Sequence, residues 1–393
     1  MSVASKRDVA DDGRSDGEQS RIQVLGMQQR SRCGYCGTPN GSQCFAARSR
    51  VLRCADYQAL VDRGWRRSGT LLYLTDHSTA CCAYYTIRTH ALDHQLHASE
   101  KKLLRKLHAR NLLDPGADAS LESKVRAGRR LDVKLEPAGF SEEKFRVFER
   151  YQRAVHGDLD ATRHGFRNFL CASPLVFDAA RAADWLPLGL GSYHQCYYVD
   201  GRLAAVGVID ILPACVSSVY LFYDPEFSEL SLGTFSSLRE LALVRQLHRS
   251  VSADIQYYYM GYYIPSCPKM TYKGRWRPAD LLDLVTLAWI PIDRCLERIR
   301  RHPVFCTFDP LVADRGIVRD TRTDTLNWAP VIDPCTLSPD DRRRTLQLVF
   351  WIGSRTPVPA SSLVHITEEI ERVVLQTGAS LGLQLASRVM LSL

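Results

Sequence analysis

No uninterrupted apolar run in the 393 residues approaches the ~20 that a membrane-spanning helix needs, so no spanning helix and no membrane partner are expected. Met1 to Ser20 is polar and charged, without the apolar centre of a secretory signal. A reduced setting, cytoplasmic or nuclear, follows. There the 13 cysteines, an odd count, serve as metal ligands or buried thiols rather than disulfides. Internal repeats are absent too, which removes repeat architectures. Acidic residues are scarce in one region: between Ala46 and Arg110 five Asp or Glu face twelve Lys or Arg, within a formal net charge of +8. That local surplus points to an anionic partner, nucleic acid first. The remainder is ordinary, with 45% hydrophobic and 24% charged residues, a globular composition on a length suited to two or three domains.

What is present is led by two cysteine pairs, Cys33-Gly34-Tyr35-Cys36 and the adjacent Cys81-Cys82. A Cys-x-x-Cys turn presents two sulfurs to one ion, and two further thiolates close a tetrahedral site. Gly34 is expected to let the turn tighten. Neighbouring side chains of a strand diverge, so Cys81 and Cys82 share a metal only where the chain bends. Without a bend, His77, His90 or His94 supplies the fourth ligand. Zinc suits such a site, and an iron–sulfur cluster takes four thiolates equally well. Four unrelated buried thiols are the plain alternative.

Along the chain, residues 1–31 read as a disordered tail, 32–130 as a small Cys-rich basic domain, and 131–393 as a second domain. Ser99 is a candidate N-cap for a helix through Leu107, with Leu103, Leu104 and Leu107 inward and Lys101, Lys102, Arg105 and Lys106 outward. Asp114-Pro115-Gly116 reads as a turn in a linker. Ser141 with Glu142 and Glu143 opens another helix, with Phe140 and Phe145 placed as a hydrophobic staple. Tyr193 to Val199 and Leu203 to Ile211 flank Asp200-Gly201, a hairpin signal. Val216 to Phe222 is a third strand, and a polar loop at Ser231 and Gly233 leads into a helix through Val244. Strands followed by a glycine and a helix N-terminus form an anion-binding arrangement. Tyr257 to Tyr259 is either core or a base-stacking platform, and Glu368 to Leu393 holds one or two core helices.

Several of these stretches, in order, resemble the arginyl-tRNA–protein transferases. They are Cys33 to Cys36; Gly64-Trp65-Arg66-Arg67-Ser68-Gly69; Cys81-Cys82 with Tyr85-Thr86-Ile87-Arg88; Tyr151-Gln152 with Val155-His156; and Ala205 through Pro213 into Cys215-Val216-Ser217-Ser218-Val219-Tyr220. The last runs from Tyr257-Tyr258-Tyr259-Met260-Gly261 through Cys267-Pro268-Lys269-Met270 to Tyr272-Lys273-Gly274. The resemblance spans roughly Arg32 to Asp283. Ala83 stands where the family usually has proline.

The resemblance implies an α+β or α/β catalytic domain of the GNAT-like acyltransferase fold, behind a small Cys-rich metal-binding domain. The implied enzyme moves arginine from Arg-tRNA, its co-substrate, to protein amino termini bearing Asp, Glu or oxidised Cys, marking them for N-degron degradation. It is expected to act as a monomer. The metal ligands would be Cys33, Cys36, Cys81 and Cys82. The donor guanidinium needs a carboxylate, for which Asp210 is favoured over Asp224 and Glu240. The acidic acceptor needs an Arg fork from Arg66, Arg67 or Arg88. Lys101, Lys102, Arg105, Lys106, Lys269 and Lys273 would hold tRNA phosphates. An α-amine is already partly nucleophilic at neutral pH, so positioning dominates, with His194, His156 and Tyr220 as proton relays and Ser217 and Ser218 orienting the terminal ribose. Two other readings are a metal-stabilised RNA-binding protein without catalysis and an acetyl-CoA-dependent acetyltransferase. The second lacks a glycine-rich pyrophosphate loop around Leu232-Gly233-Thr234.

Overall fold

The computed structural model describes residues 19–113, 131–302, 305–308, 319–320, 325–326, 337–352, 356–363 and 367–393. The expected turn at Asp114-Pro115-Gly116 and most of the expected tail lie outside the described residues. Strands β1 (Arg21–Met27) and β2 (Cys44–Arg53) lead into helix α1 (Cys54–Val61), the hairpin β3 (Arg66–Ser68) and β4 (Leu71–Thr75), then β5 (Tyr85–His90) and α2 (Ala98–Ala109). Next come β6 (Leu131–Pro137), α3 (Glu142–Tyr151), a π-helical turn Gln152–His156, α4 (Arg163–Phe166), a second π turn Arg167–Cys171 and β7 (Leu175–Val176). A meander follows of β8 (Gly191–Val199), β9 (Arg202–Ile211) and β10 (Cys215–Tyr223), then α5 (Leu232–Ser250), β11 (Tyr257–Tyr263) and the short α6 (Pro268–Thr271). The chain continues through β12 (Ala279–Leu282), β13 (Trp289–Pro291), α7 (Ile292–Arg301) and the pair β14 (Arg319–Asp320) and β15 (Thr325–Leu326). It closes with β16 (Val349–Ile352), β17 (Thr356–Pro359), a helix Glu368–Leu381 and β18 (Met390–Ser392).

Two large sheets organise these elements, in the orders β17-β16-β18-β1-β2-β4-β3 and β13-β12-β5-β11-β10-β9-β8-β6. The boundary expected near residue 130 does not separate them. Strand β5, from the cysteine-bearing region, is hydrogen-bonded between β11 and β12, because Thr86, Ile87 and Thr89 are buried from both sides. Conversely, the carboxyl-terminal β18 runs parallel to β1. Trp65 and Arg63 donate to the carbonyls of Ala379 and Ser380, tying the end of the helix Glu368–Leu381 to the segment that leads into β3.

Strand β1 corrects the expected tail. Ile22 and Val24 alternate with exposed neighbours and bury at 1% and 6% exposure, a period-two signal hidden among charged residues. At the meander, Asp200 and Gly201 both take positive φ, as a two-residue primed turn requires. Ser141 caps α3 by accepting from Lys144 N, and Phe140 and Phe145 both pack on Phe166. Helix α2 begins one residue before Ser99, its capping box formed by His97 and Glu100. Among the described residues no helix is long and apolar enough to cross a membrane.

Of the contacts in the second sheet, that between β10 and β11 positions the site. They run parallel and pair only at Cys215–Ser217 with Tyr257–Tyr259. Beyond that, β10 bulges at Val219 and β11 at Met260-Gly261, Gly261 taking φ +73°. Each bulge twists its strand locally. Beyond Ser217 and Tyr259 the two strands no longer pair, and the gap between their carboxyl halves, called the crevice below, corresponds to the position at which parallel sheets bind ligands.

Candidate active site and thiol cluster

Residues from both sheets converge on this crevice. Arg66, on β3, is 8% exposed and donates to Trp65 O, Thr86 Oγ1 and, at 3.4 Å, Gly261 O. Its guanidinium lies over the Tyr262 ring, and its buried Nε has no partner. Lys273 donates 3.0 Å to the next carbonyl, Tyr262 O. Burial and the neighbouring Arg66 push its ammonium down to about 7. Among the described residues, neither cation has a carboxylate within ion-pair distance. A buried guanidinium and a partly buried amine, neither paired with a carboxylate among the described residues, suit an anion, whose arrival would favour the charged form of Lys273. Above them, Gln152 Nε2 donates to Tyr220 Oη at 3.3 Å, with His156 Nε2 at 3.4 Å, and Lys269 is exposed close by.

A cavity of about 710 Å³ lies beside the crevice, between the amino ends of α2 and α5, lined by Ser99, Ser231, Thr234, Tyr272, Arg275 and Arg277 among others. Lys101, Lys102, Arg105 and Lys106 project from α2 into solvent, while Leu103, Leu104 and Leu107 are buried, as expected. Lys106 also donates to Glu229 O at 2.6 Å.

Next to the crevice the four cysteines do come together. The sulfurs of Cys33, Cys36, Cys81 and Cys82 all lie within 4.8 Å of one another, with Cys36 and Cys81 at 3.2 Å. Cys81 and Cys82 sit in a bend before β5, so both can face one point. Gly34 is not what shapes the turn: it has open space, whereas Gly37 takes φ +76° and a Cβ on Gly41 would meet Cys81 Sγ at 2.7 Å. Hydrogen bonds from Thr38 and from Cys81 pull the Cys36 thiol down to about 6. Burial raises Cys33, but hydrogen bonds from the Cys36 and Tyr35 backbone and from Tyr84 hold it below the usual thiol range. Burial pushes Cys81 up to about 11. The histidines held in reserve lie elsewhere. His77 stacks on Phe305 at 4.3 Å, His90 pairs with Asp280 and His94 with Glu100. Tyr84, Tyr262 and Ile264 pack around the thiols, joining the cluster to the end of β11.

Several expected roles do not survive this geometry. Asp210 is fully buried and grips the chain's own Arg67 through two hydrogen bonds of 2.6 and 2.7 Å, with Ser192 donating a third, so neither Asp210 nor Arg67 is free to hold substrate. Asp224 pairs with Arg150 and caps the turn at Pro225. Arg88 pairs with Asp280 and is sandwiched between the Tyr257 and Trp289 rings. His194 is wholly buried, accepting from Lys144 at Nδ1 and donating to Leu170 O, and burial takes it down to about 4. Tyr258 and Tyr259 belong to the core. Ser217 is buried, while Ser218 is half-buried at the bulge. The roles of Thr38, Gly41 and Tyr84 at the thiols had no signal in the sequence, since each acts through a neighbour brought in by folding.

Two family models match the chain: "Arginine-tRNA-protein transferase, N terminus" over residues 31–102 and the corresponding C terminus over residues 143–283. The chain belongs to this family of enzymes. "Arginyl-tRNA--protein transferase 1" of Drosophila melanogaster is 30% identical over 70% of the chain and 82% of its own length. The protein of the same name from Saccharomyces cerevisiae is 32% identical over 70% of the chain and 63% of its own. An "Aspartate/glutamate leucyltransferase" of Pseudomonas fluorescens is 27% identical over 70% of the chain and 99% of its own.

Proposed function

We propose that the chain transfers arginine from Arg-tRNA to the α-amino group of proteins beginning with Asp, Glu or oxidised Cys, in the crevice between β10 and β11. The observation that carries this reading is the unpaired cation couple Arg66 and Lys273, which offers a forked and a point charge to one acidic side chain. The divergence of the parallel strands after the meander supports a GNAT-like fold for this part of the chain. In that reading the acceptor arm of the tRNA lies along Lys101, Lys102, Arg105 and Lys106, with phosphate contacts that position without reading bases. Its 3′ end enters the 710 Å³ cavity beside Arg275 and Arg277, and Tyr272 leads from there to the crevice. Lys269 completes the basic rim, and Ser218 faces the terminal ribose. Attack by the amine on the ester forms the C–N bond as the ribose oxygen leaves, and positioning supplies most of the acceleration. His156 and Tyr220, within reach of each other, can pass the proton.

The thiols would hold one metal ion. Four sulfurs at 2.3 Å from a tetrahedral ion stand about 3.8 Å apart, inside the observed spread, so zinc fits the four residues present. An iron–sulfur cluster on the same thiolates is the other candidate. When bound, such a centre ties the Cys33–Cys36 turn to the bend before β5, bracing the wall that carries Tyr84 and Tyr262. The enzyme is taken to work as a monomer in the cytoplasm or nucleus, its products entering the N-degron route. The reading is tested with labelled arginine on Arg-tRNA and matched peptides beginning with Asp or Ala. Transfer to the Asp peptide alone is expected; equal transfer to both would remove the acidic-acceptor rule.

A further inference from the structure

With Asp210 and Asp224 already occupied by arginines of this chain, a cationic donor needs another carboxylate. Glu240 lies on α5 against the second sheet, 1% exposed, and its Oε2 has no hydrogen-bond partner. Ser218 of β10 and Tyr258 of β11 lie beside the carboxyl and favour its charged form, while the Tyr258 hydroxyl donates to Ser237 Oγ at 3.4 Å. On β9, Gly207 leaves the space the carboxyl needs: a Cβ there would sit 3.2 Å from Glu240 Oε1. The titratable groups facing it from the packed elements are Tyr258, Tyr197 of β8 and Tyr272 of the turn after α6. Burial holds all three phenols neutral, and Arg239 acts on Tyr197 instead. Among the described residues no Lys or Arg forms an ion pair with Glu240. Burial therefore pushes its carboxyl up to about 7.

A buried acid with a spare oxygen and no cation is costly on its own. Its place explains the cost. Glu240 sits where β10 and β11 part, and Tyr272 faces both it and the cavity. We propose that Glu240 receives the guanidinium of the donor arginine through its free oxygen, and so selects a cationic aminoacyl group over a neutral one of similar size. This rests on the crevice being the aminoacyl-transfer site. Arrival of the cation ionises the carboxyl and releases its proton to solvent, so the buried charge is paired as it forms.

The test uses the full chain with tRNA charged either with arginine or with citrulline, whose ureido group has nearly the guanidinium shape without its charge. Wild type is expected to favour arginine by at least about 100-fold in kcat/KM, the scale of a buried charge pair. Glu240→Gln is expected to lose most of that preference through the arginine rate, leaving citrulline transfer within a few-fold. An unchanged preference in the variant, or equal loss with both donors, would overturn the proposal. Should the variant fail to fold, the wild-type comparison decides alone: no preference for arginine over citrulline overturns the role. Absence of transfer from any donor would instead count against the crevice as a transferase site.

Discussion

Arg66 and Arg67 are chain neighbours with opposite fates. Adjacent side chains of a strand point to opposite faces, so β3 sends Arg67 to Asp210 and Arg66 to the crevice. The tandem pair is visible in the sequence. The carboxylate that claims one of them lies 143 residues away, and nothing local marks it. The same holds for the three acids considered for the donor, separable only once Arg67 and Arg150 are seen on two of them. Of the twelve basic residues between Ala46 and Arg110, Arg63, Arg67, Arg88 and Arg110 are also spent on internal partners. The charge surplus thus reports the partner class more faithfully than the contact residues. Asp210→Asn leaves a buried guanidinium without its anion, and a loss of about 3–5 kcal/mol of stability is expected, read from chemical denaturation. A loss under about 1 kcal/mol would mean that the pair is not structural.

At the scale of elements, local chemistry was readable where it is strong. Asp200-Gly201 fixed the hairpin, Ser141 the start of α3, and the leucines of α2 its inner face. It failed for β1, whose Ile22 and Val24 sit among polar residues, and for β18, three residues with no period of their own. The thiol cluster was legible as residue types, and its closure depended on the bend at Cys81-Cys82 that the sequence could only pose as a condition. Since ligand thiolates that are distant in the chain couple metal binding to folding, Cys33→Ser combined with Cys36→Ser is expected to abolish stoichiometric metal. For a chain of 393 residues, a lost contribution of about 3 kcal/mol corresponds to a fall in melting temperature of about 4 °C. Metal content unchanged in a folded double variant would exclude this pair as ligands.

The whole molecule is less divided than its sequence suggests. The Cys-rich basic region and the linker-like stretch after it invite a boundary near residue 130, yet β5 belongs to the second sheet and β18 to the first. Such pairings are long-range and leave no trace in composition. Their consequence is spatial: the crevice takes Arg66 and Thr86 from the first hundred residues and Gly261 and Lys273 from the second region. In the proposed reading, recognition of the acceptor's charge depends on both parts of the chain. The most direct test compares kcat/KM for peptides beginning with Asp and with Asn, alike in shape but not in charge, using wild type and Lys273→Met. Wild type should prefer Asp strongly, and the variant should lose at least about tenfold of that preference through Asp alone, the expected cost of removing one charged hydrogen bond. A variant that keeps the full wild-type preference, or that loses both peptides equally, would contradict the assignment of this cation pair to the acidic acceptor.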